Sequence, residues 1–219
     1  MRTAICAILL ALACLAMPPG NAGAASGDVV LVGPRPLSQL DPRNYRDLGL
    51  MLATDTLPNS TRRTTVANLA CVAAVYVMIE RARGRAAAMI DDFYIDPRLN
   101  GGRSPGARRP DYVSGDIAVD RTIIESELGA GRPVVLRGSG GPLGQHFVLA
   151  VGLAEAETGG RHLIVLDPWP APGEIAPRPD VRIDFTSSSL RHPDIAGLVF
   201  ERMRRVSGSP FPLAAASSE

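Results

Sequence analysis

The sequence lacks lysine altogether, and it has little tryptophan, cysteine and histidine: one, three and three residues, respectively. Its 23 basic residues are all arginines, and 22 acidic residues nearly balance them. Because the charges are balanced and interspersed, the chain has no general basic patch, and we expect no nucleic-acid partner. The histidines, His146, His162 and His192, do not have the spacing of metal ligands, so we expect no metal ion and no other cofactor.

No apolar run is long enough to span a membrane, and the longest lies at the N-terminus. It covers residues 4–17, follows the basic residue Arg2 and ends before two prolines and a glycine. Residues 22–24, Ala-Gly-Ala, then form a small-residue cleavage site. This pattern is typical of a secretory signal peptide over residues 1–24. It predicts a secreted or periplasmic bacterial protein with no stable membrane span after cleavage.

Cleavage after residue 24 leaves Cys71 as the only cysteine, because Cys6 and Cys14 leave with the signal peptide. Lipid anchoring through Cys14 is not favoured, since residues 11–13, Ala-Leu-Ala, are a poor lipidation site. In an oxidising compartment cysteines normally pair, so a lone cysteine indicates a free reactive thiol or an intermolecular bridge. The plainer alternative is a buried, inert cysteine that packs as a small hydrophobe.

About 195 residues remain after cleavage, which fits one domain with a sizeable core. Residues 25–62 are poorly patterned and interrupted by prolines, and we interpret them as an N-terminal segment that wraps the core or acts as a pro-segment. Residues 63–206 carry the periodic segments and form the expected domain. Residues 207–219 are small and polar, which predicts a disordered tail.

The most continuous apolar stretch of the expected domain is LACVAAVYVMIE, residues 69–80. Its length favours a buried helix over a strand, and Gly84 is expected to end that helix. Either Thr65 or Asn68 is a suitable N-cap. With Asn68 as the cap, Cys71 lies in the first turn, where the helix dipole and free N–H groups favour an anionic sulfur.

Two further helices are expected over residues 85–94 and 115–128, separated by a glycine- and arginine-rich loop. The pattern then becomes β, with strands predicted at residues 133–137, 146–153, 162–166, 181–185 and 198–206. Helices first and antiparallel strands afterwards predict an α+β domain of two packed halves.

Two polar residues of the β half stand at strand ends: His146 begins one predicted strand and Asp167 ends the next. A hairpin that pairs His146 with Asp167 and Leu153 with Gly160 places the first two side chains about 5 Å apart. A thiol catalyst needs a base for its proton and a third group that holds the imidazole, and Cys71, His146 and Asp167 have these chemistries. Each also has a plainer interpretation: a core cysteine, a satisfied histidine and an aspartate that forms a turn.

Four segments in the same order resemble papain-like cysteine peptidases, most closely the bacterial papain-like and leader-peptidase-like branch. They are the helix start CVAA and the segments GRPVVLR, QHFVLAVGL and LDPWP, at residues 71–74, 131–137, 145–153 and 166–170. The resemblance implies a papain-like α+β fold in which an N-terminal helical half, carrying the nucleophile helix, packs on a C-terminal antiparallel β half.

The resemblance also implies roles for individual residues: Cys71 as nucleophile, His146 as general base and acid, Asp167 as the residue that orients the imidazole, and Trp169 as the shield of the His–Asp hydrogen bond. One feature of the family is absent. The family has a glutamine shortly before the cysteine that helps to bind the oxyanion, whereas residues 64–70 are TTVANLA. Asn68 and Thr65 are the candidates for that role, and loss of one oxyanion donor typically costs about 10²–10³ in rate.

These inferences predict a secreted cysteine hydrolase, a peptidase that acts on a peptide or protein through an acyl-thioester on Cys71. The missing glutamine supports an alternative, a catalytically impaired papain-like pseudoenzyme that acts as a binding or inhibitory module. That alternative predicts no cleft leading to Cys71. A transglutaminase or amidase on the same fold shares the triad and is not separated from a peptidase by sequence.

Overall fold

The computed structural model describes residues 28–56, 62–100, 106–157 and 159–214. The expected signal peptide lies outside the described residues. The described residues contain ten strands, four α-helices and three 3-10 turns. The strands are β1 Val29–Val30, β2 Thr54–Thr56, β3 Arg63–Thr65, β4 Ile117–Ala118, β5 Val134–Ser139, β6 Gln145–Glu155, β7 Arg161–Asp167, β8 Arg178–Asp184, β9 Leu190–Arg191 and β10 Val199–Arg205. The α-helices are α1 Leu48–Leu52, α2 Val66–Leu69, α3 Cys71–Ala82 and α4 Arg121–Gly129, and 3-10 turns cover Pro42–Asn44, Ile90–Asp92 and Pro97–Asn100.

In the described part of the chain, eight strands form one antiparallel sheet, in which β4, β10, β5, β6, β7 and β8 are neighbours in that order. β1 pairs with the second half of β6, and β9 pairs with β10. β2 and β3 form a separate hairpin just before α2. The chain is therefore an α+β protein, as the sequence predicts.

The strand β6 lies at the centre of the fold. It pairs with β5 through its first half and with β1 and β7 through its second half, and all its residues except the two end ones are buried. α3 and α4 both pack against it, so its apolar residues do not alternate with polar ones. Gly152 is required where β1 crosses, because a Cβ there would lie 2.6 Å from the Val29 carbonyl oxygen.

The helix α3 is buried almost all round, as expected for the apolar stretch that contains Cys71. Its buried residues run without interruption from Ala73 to Glu80. A helix that is apolar on every side is stable only inside the protein, where other elements cover each face. Gly84 follows with a positive φ of 95° and ends the helix, as predicted.

The two further helices differ from their predicted extents. Over residues 85–94 only a 3-10 turn forms, because Asp92 accepts the backbone N–H of Met89 while Asp91 accepts those of Arg46 and Asp47, which holds the segment as a loop. The helix expected over residues 115–128 begins at Arg121, since Asp120 caps it.

The N-terminal segment, for which the sequence leaves open a wrapping or a pro-segment role, packs against the rest of the fold. β1 extends the main sheet, and Leu31, Leu37, Tyr45 and Leu50 are buried in the core. Burial here comes from single apolar residues between prolines, which leave no periodic pattern in the sequence.

The C-terminal tail is also ordered over residues 207–214, which corrects the prediction of disorder there. The Phe211 side chain is 8% exposed and belongs to the core, its N–H donates to the Gly131 carbonyl, and Ala214 donates to Val30. Most residues of the segment are small or polar, but the single aromatic residue, Phe211, attaches it to the core. Residues 215–219 lie outside the described residues.

A search of the described ranges finds no helix that is both long and apolar enough to cross a membrane.

Phe211→Ala is expected to lower the free energy of unfolding by about 3 kcal/mol, because it removes a buried aromatic ring and leaves a cavity under the tail. Leu213→Ala is the matched control. Its side chain is 44% exposed, and its contact with Leu31 is a backbone bridge, so the loss is expected to stay below about 1 kcal/mol. Urea denaturation of both variants provides the measurement. Equal stability of wild type and Phe211→Ala contradicts a docked tail.

Candidate active site

Cys71 is the first residue of α3 and is 6% exposed. The residue before it, Ala70, has φ −81° and ψ 11°, so the chain turns there and separates α2 from α3. Thus neither predicted cap, Asn68 or Thr65, begins the helix that carries the thiol. The sulfur lies at the positive end of a helix of twelve residues, where a thiolate is stabilised.

The turn between the two helices is supported from the N-terminal segment. The buried Gln39 side chain donates from Nε2 to the Ala67 carbonyl at 2.7 Å, and the backbone N–H of Gln39 donates to Pro168 at 3.0 Å. One glutamine therefore connects α2, the short helix before the nucleophile helix, to the residue that follows Asp167.

His146 and Asp167 are brought together as the sequence predicts. His146 lies near the start of β6, Asp167 ends β7, and both side chains are buried. The imidazole Nε2 and Asp167 Oδ1 are 2.7 Å apart. This hydrogen bond leaves Nδ1 as the ring nitrogen that can exchange a proton with another group.

The pairing that creates this contact is not the predicted one. Leu149 lies opposite Leu166, so Val148 rather than His146 would face Asp167, and the register shifts again beyond Ala150. The predicted register of β6 and β7 was therefore wrong, because the hairpin closes at the pair Glu155 and Arg161 and not at Leu153 and Gly160. His146 and Asp167 are diagonal neighbours on the sheet, still within reach of each other's side chains.

The Cys71 thiol lies close enough to the imidazole to act on its pKa by hydrogen bonding and by charge. Burial is the largest single influence on the pKa of His146 and lowers it. The hydrogen bonds and charges of Asp167 and Cys71 together outweigh burial and raise the pKa to about 9. The three predicted triad residues therefore form one connected group in which the imidazolium is the favoured form near neutral pH.

A second histidine completes this group. His192 is buried, and its Nε2 lies 3.0 Å from Asp167 Oδ2. The backbone N–H groups of Asp194 and Ile195 both donate to its Nδ1 at 3.1 Å. Because Nδ1 accepts these two bonds, the proton must lie on Nε2, and His192 is a donor to Asp167.

Asp167 thus accepts from three donors, the third being the Trp169 backbone N–H, 2.8 Å from Oδ1. Burial is the largest influence on the pKa of Asp167 and raises it. The hydrogen bonds from His146 and His192, the charge of His146 and the Trp169 N–H together hold the pKa well below its usual range. Asp167 is therefore a carboxylate at any ordinary pH.

Trp169 contributes to the site through its backbone. Its side chain is half-buried, and among the described residues its indole makes no ring contact with His146. The ring beside His146 is that of His192, at a centroid distance of 6.4 Å and an interplanar angle of 70°. The ring that contacts His146 is therefore that of His192, and the shielding role expected of Trp169 stays a prediction.

A cavity of about 290 Å³ reaches the thiol. Its walls include Cys71, Asp55, Tyr94, Gln145, Phe147 and Arg204. Successive strand residues point to opposite faces, so the cavity lies on the Gln145 and Phe147 side of β6, and His146 faces the other way. Cys71 lies between the two sides.

The two residues proposed as oxyanion donors do not line this cavity. Asn68 is exposed and its amide donates to Thr64 Oγ1 at 2.7 Å, and the Thr65 side chain makes no capping bond. The amide on the cavity wall is that of Gln145. With its oxygen toward Arg137, it accepts from Nε and Nη2 at 2.8 and 2.7 Å, and its N–H₂ group remains as a donor.

Within the described part of the chain, no group of three or more histidine, cysteine, aspartate or glutamate side chains is arranged to hold a metal ion. The larger cavity elsewhere, about 540 Å³ and lined by Tyr112, Glu127, Arg132 and Arg205, contains none of the triad residues.

No family model matches the chain, and no curated protein and no solved structure matches it either.

Proposed function

We propose that this chain is a secreted cysteine hydrolase of the papain-like type that cleaves amide bonds in peptides or proteins. The observation that carries the proposal is a thiol at a helix N-terminus, beside an imidazole whose other nitrogen is bound to a buried carboxylate. This is the arrangement that nucleophilic catalysis by sulfur requires. The signal-like N-terminus and the four resembling segments support the export and the family, respectively.

In the first half of the reaction, the proton of the Cys71 thiol already resides on His146 Nδ1, as an imidazolium, and the sulfur attacks the substrate carbonyl carbon. The carbon–nitrogen bond then breaks, and the imidazolium returns its proton to the departing amine. The product on the enzyme is an acyl-thioester. In the second half, His146 takes a proton from water, the hydroxide oxygen attacks the thioester carbon, and the carboxylic acid leaves as the thiol is restored.

The negative charge that develops on the carbonyl oxygen needs donors that are already in place. The first turn of α3 supplies the positive end of a helix at Cys71. The Gln145 carboxamide supplies N–H groups on the same cavity wall. A glutamine from the histidine strand thus takes the role that the family gives to a glutamine before the cysteine.

The pseudoenzyme alternative requires that no cleft lead to the thiol. A cavity that has Cys71 on its wall counts against that requirement. The hydrolase is therefore the function that the geometry favours.

Cys71→Ala is expected to abolish hydrolysis of a peptide-library substrate, a loss of at least about 10³-fold, because the nucleophile is removed. Labelling by a thiol-directed probe, mapped by mass spectrometry to the peptide that contains residue 71, is expected to disappear as well. Ser126→Ala is the control, since it changes a residue of α4 that does not line the cavity. Hydrolysis that survives in Cys71→Ala contradicts the assignment of the nucleophile.

The pH dependence of kcat/KM is expected to show an alkaline decline near pH 9. Above the raised pKa of His146 the imidazolium loses the proton that the departing amine needs. Asp167→Asn removes a charge and an acceptor that raise this pKa, so the decline is expected to move to lower pH. Asp180→Asn, an exposed position, is the control. If the alkaline decline in kcat/KM occurs at the same pH in Asp167→Asn as in wild type, Asp167 does not raise the pKa of His146.

His192→Phe is expected to lower kcat about tenfold with little change in KM, because Asp167 loses the donor that fixes one of its oxygens. His192→Gln retains a side-chain N–H₂ group and is expected to recover most of the activity. His162→Phe, which changes a half-buried histidine on β7, is the matched control. If the Phe and Gln variants lose the same activity, His192 has only a packing role.

A further inference from the structure

We propose that the cavity beside Cys71 binds a cationic group, a primary ammonium or a guanidinium, through the carboxylate of Asp55. This inference deepens the proposed function, on which it rests, because it assigns a substrate class to the same site. The chemistry fits a lysine or arginine side chain of a peptide, or its free amino terminus.

Asp55 is the buried middle residue of β2 and is 2% exposed. Oδ2 accepts from the Tyr94 hydroxyl at 2.7 Å, and Oδ1 accepts from the Thr56 backbone N–H at 2.7 Å. Each carboxylate oxygen can accept a further hydrogen bond. Both partners are uncharged, so these two bonds hold the carboxylate in place without neutralising its charge.

No ion pair between described residues includes Asp55, although the buried Asp167 has two imidazole partners and the half-buried Asp116 has two arginine partners. A charge taken out of water is costly unless an opposite charge accompanies it. A cation that enters with the substrate would supply that missing charge. Among the described residues, no positive charge therefore balances the carboxylate of Asp55 on this side of the cavity.

The position of Asp55 connects this charge with the reaction. Asp55, its partner Tyr94 and the nucleophile Cys71 line the same cavity of about 290 Å³. This volume accommodates one extended side chain beside the scissile bond. A cation bound at Asp55 would therefore be part of the molecule whose carbonyl lies at the sulfur.

The other charged group of the cavity already has its partners. Arg204 is hydrogen-bonded to Asp116 and to the Tyr76 hydroxyl, and its guanidinium lies 4.9 Å from the centroid of the Phe147 ring. Its side chain is 16% exposed. The Arg204 guanidinium is thus held in place by its partners, whereas Asp55 has no counterion among the residues that the structure describes.

The first test measures the charge preference of Cys71 itself and needs no hydrolysis. Full-length protein is treated with aminoethyl methanethiosulfonate, a cation, and with sulfonatoethyl methanethiosulfonate, an anion, and the modification rate at residue 71 is followed by peptide mass. We expect wild type to react faster with the cation, and Asp55→Asn to lower the cation-to-anion rate ratio about tenfold. Asp180→Asn is expected to leave the ratio unchanged.

The second test compares kcat/KM for peptide pairs that differ only in lysine versus norleucine, each with a free and an acetylated amino terminus. A preference for lysine in both forms identifies a side chain as the cation, and a preference that acetylation removes identifies the terminus. Asp55→Asn is expected to remove either preference, because kcat/KM for the cationic peptide falls towards that of its neutral counterpart.

The outcomes separate the two proposals. Hydrolysis that depends on Cys71 but ignores substrate charge overturns the inference about Asp55 and leaves the hydrolase standing. A thiol that prefers the cationic reagent in wild type but not in Asp55→Asn, in a protein that hydrolyses no peptide, supports the cation site and overturns the hydrolase. A wild-type thiol with no preference for the cationic reagent overturns the inference even if Asp55→Asn fails to fold.

Discussion

The buried carboxylate of Asp167 accepts hydrogen bonds from two imidazoles and a backbone N–H, and the geometry of the site depends on this convergence. Burying a carboxylate costs several kcal/mol unless donors replace the lost water. Here the donors come from β6, from the turn after β7 and from the loop after β9. The hydrogen bonds that stabilise the buried charge of Asp167 also fix the ring of His146 and leave its Nδ1 for the thiol. The same contacts therefore stabilise the carboxylate and orient the base.

The antiparallel sheet brings these groups together at one end of its strands. In an antiparallel hairpin the start of one strand and the end of the next lie together, so His146 near the start of β6 and Asp167 at the end of β7 meet. His192 approaches from the segment between β9 and β10, where two backbone N–H groups fix its tautomer. Three separate parts of the β half therefore have to fold correctly before the base is oriented. The nucleophile, by contrast, comes from the single buried helix α3.

The sequence predicts those parts of the site that lie on or next to long apolar runs. The helix of Cys71 and the strands of His146 and Asp167 are found because burial leaves a run or period in the sequence. The register of β6 and β7 was missed, since the strands continue to the pair Glu155 and Arg161 and the apolar pattern does not mark where the turn begins. His192 was missed for a different reason: it lies 25 residues beyond Asp167, and only the fold of β8, β9 and β10 brings it back.

The N-terminal segment contributes to the site, although its sequence has no clear periodic pattern. Sequence patterns therefore did not predict this contribution. Gln39 supports the turn before Cys71 and bonds to Pro168, and Asp55 lies on the wall of the cavity. If this segment were removed as a pro-segment, the sheet would lose β1 and the cavity would lose a wall. Between residues 28 and 56, the segment pairs with β6 through β1 and buries apolar side chains in the core, so its removal would take these contacts from the fold as well.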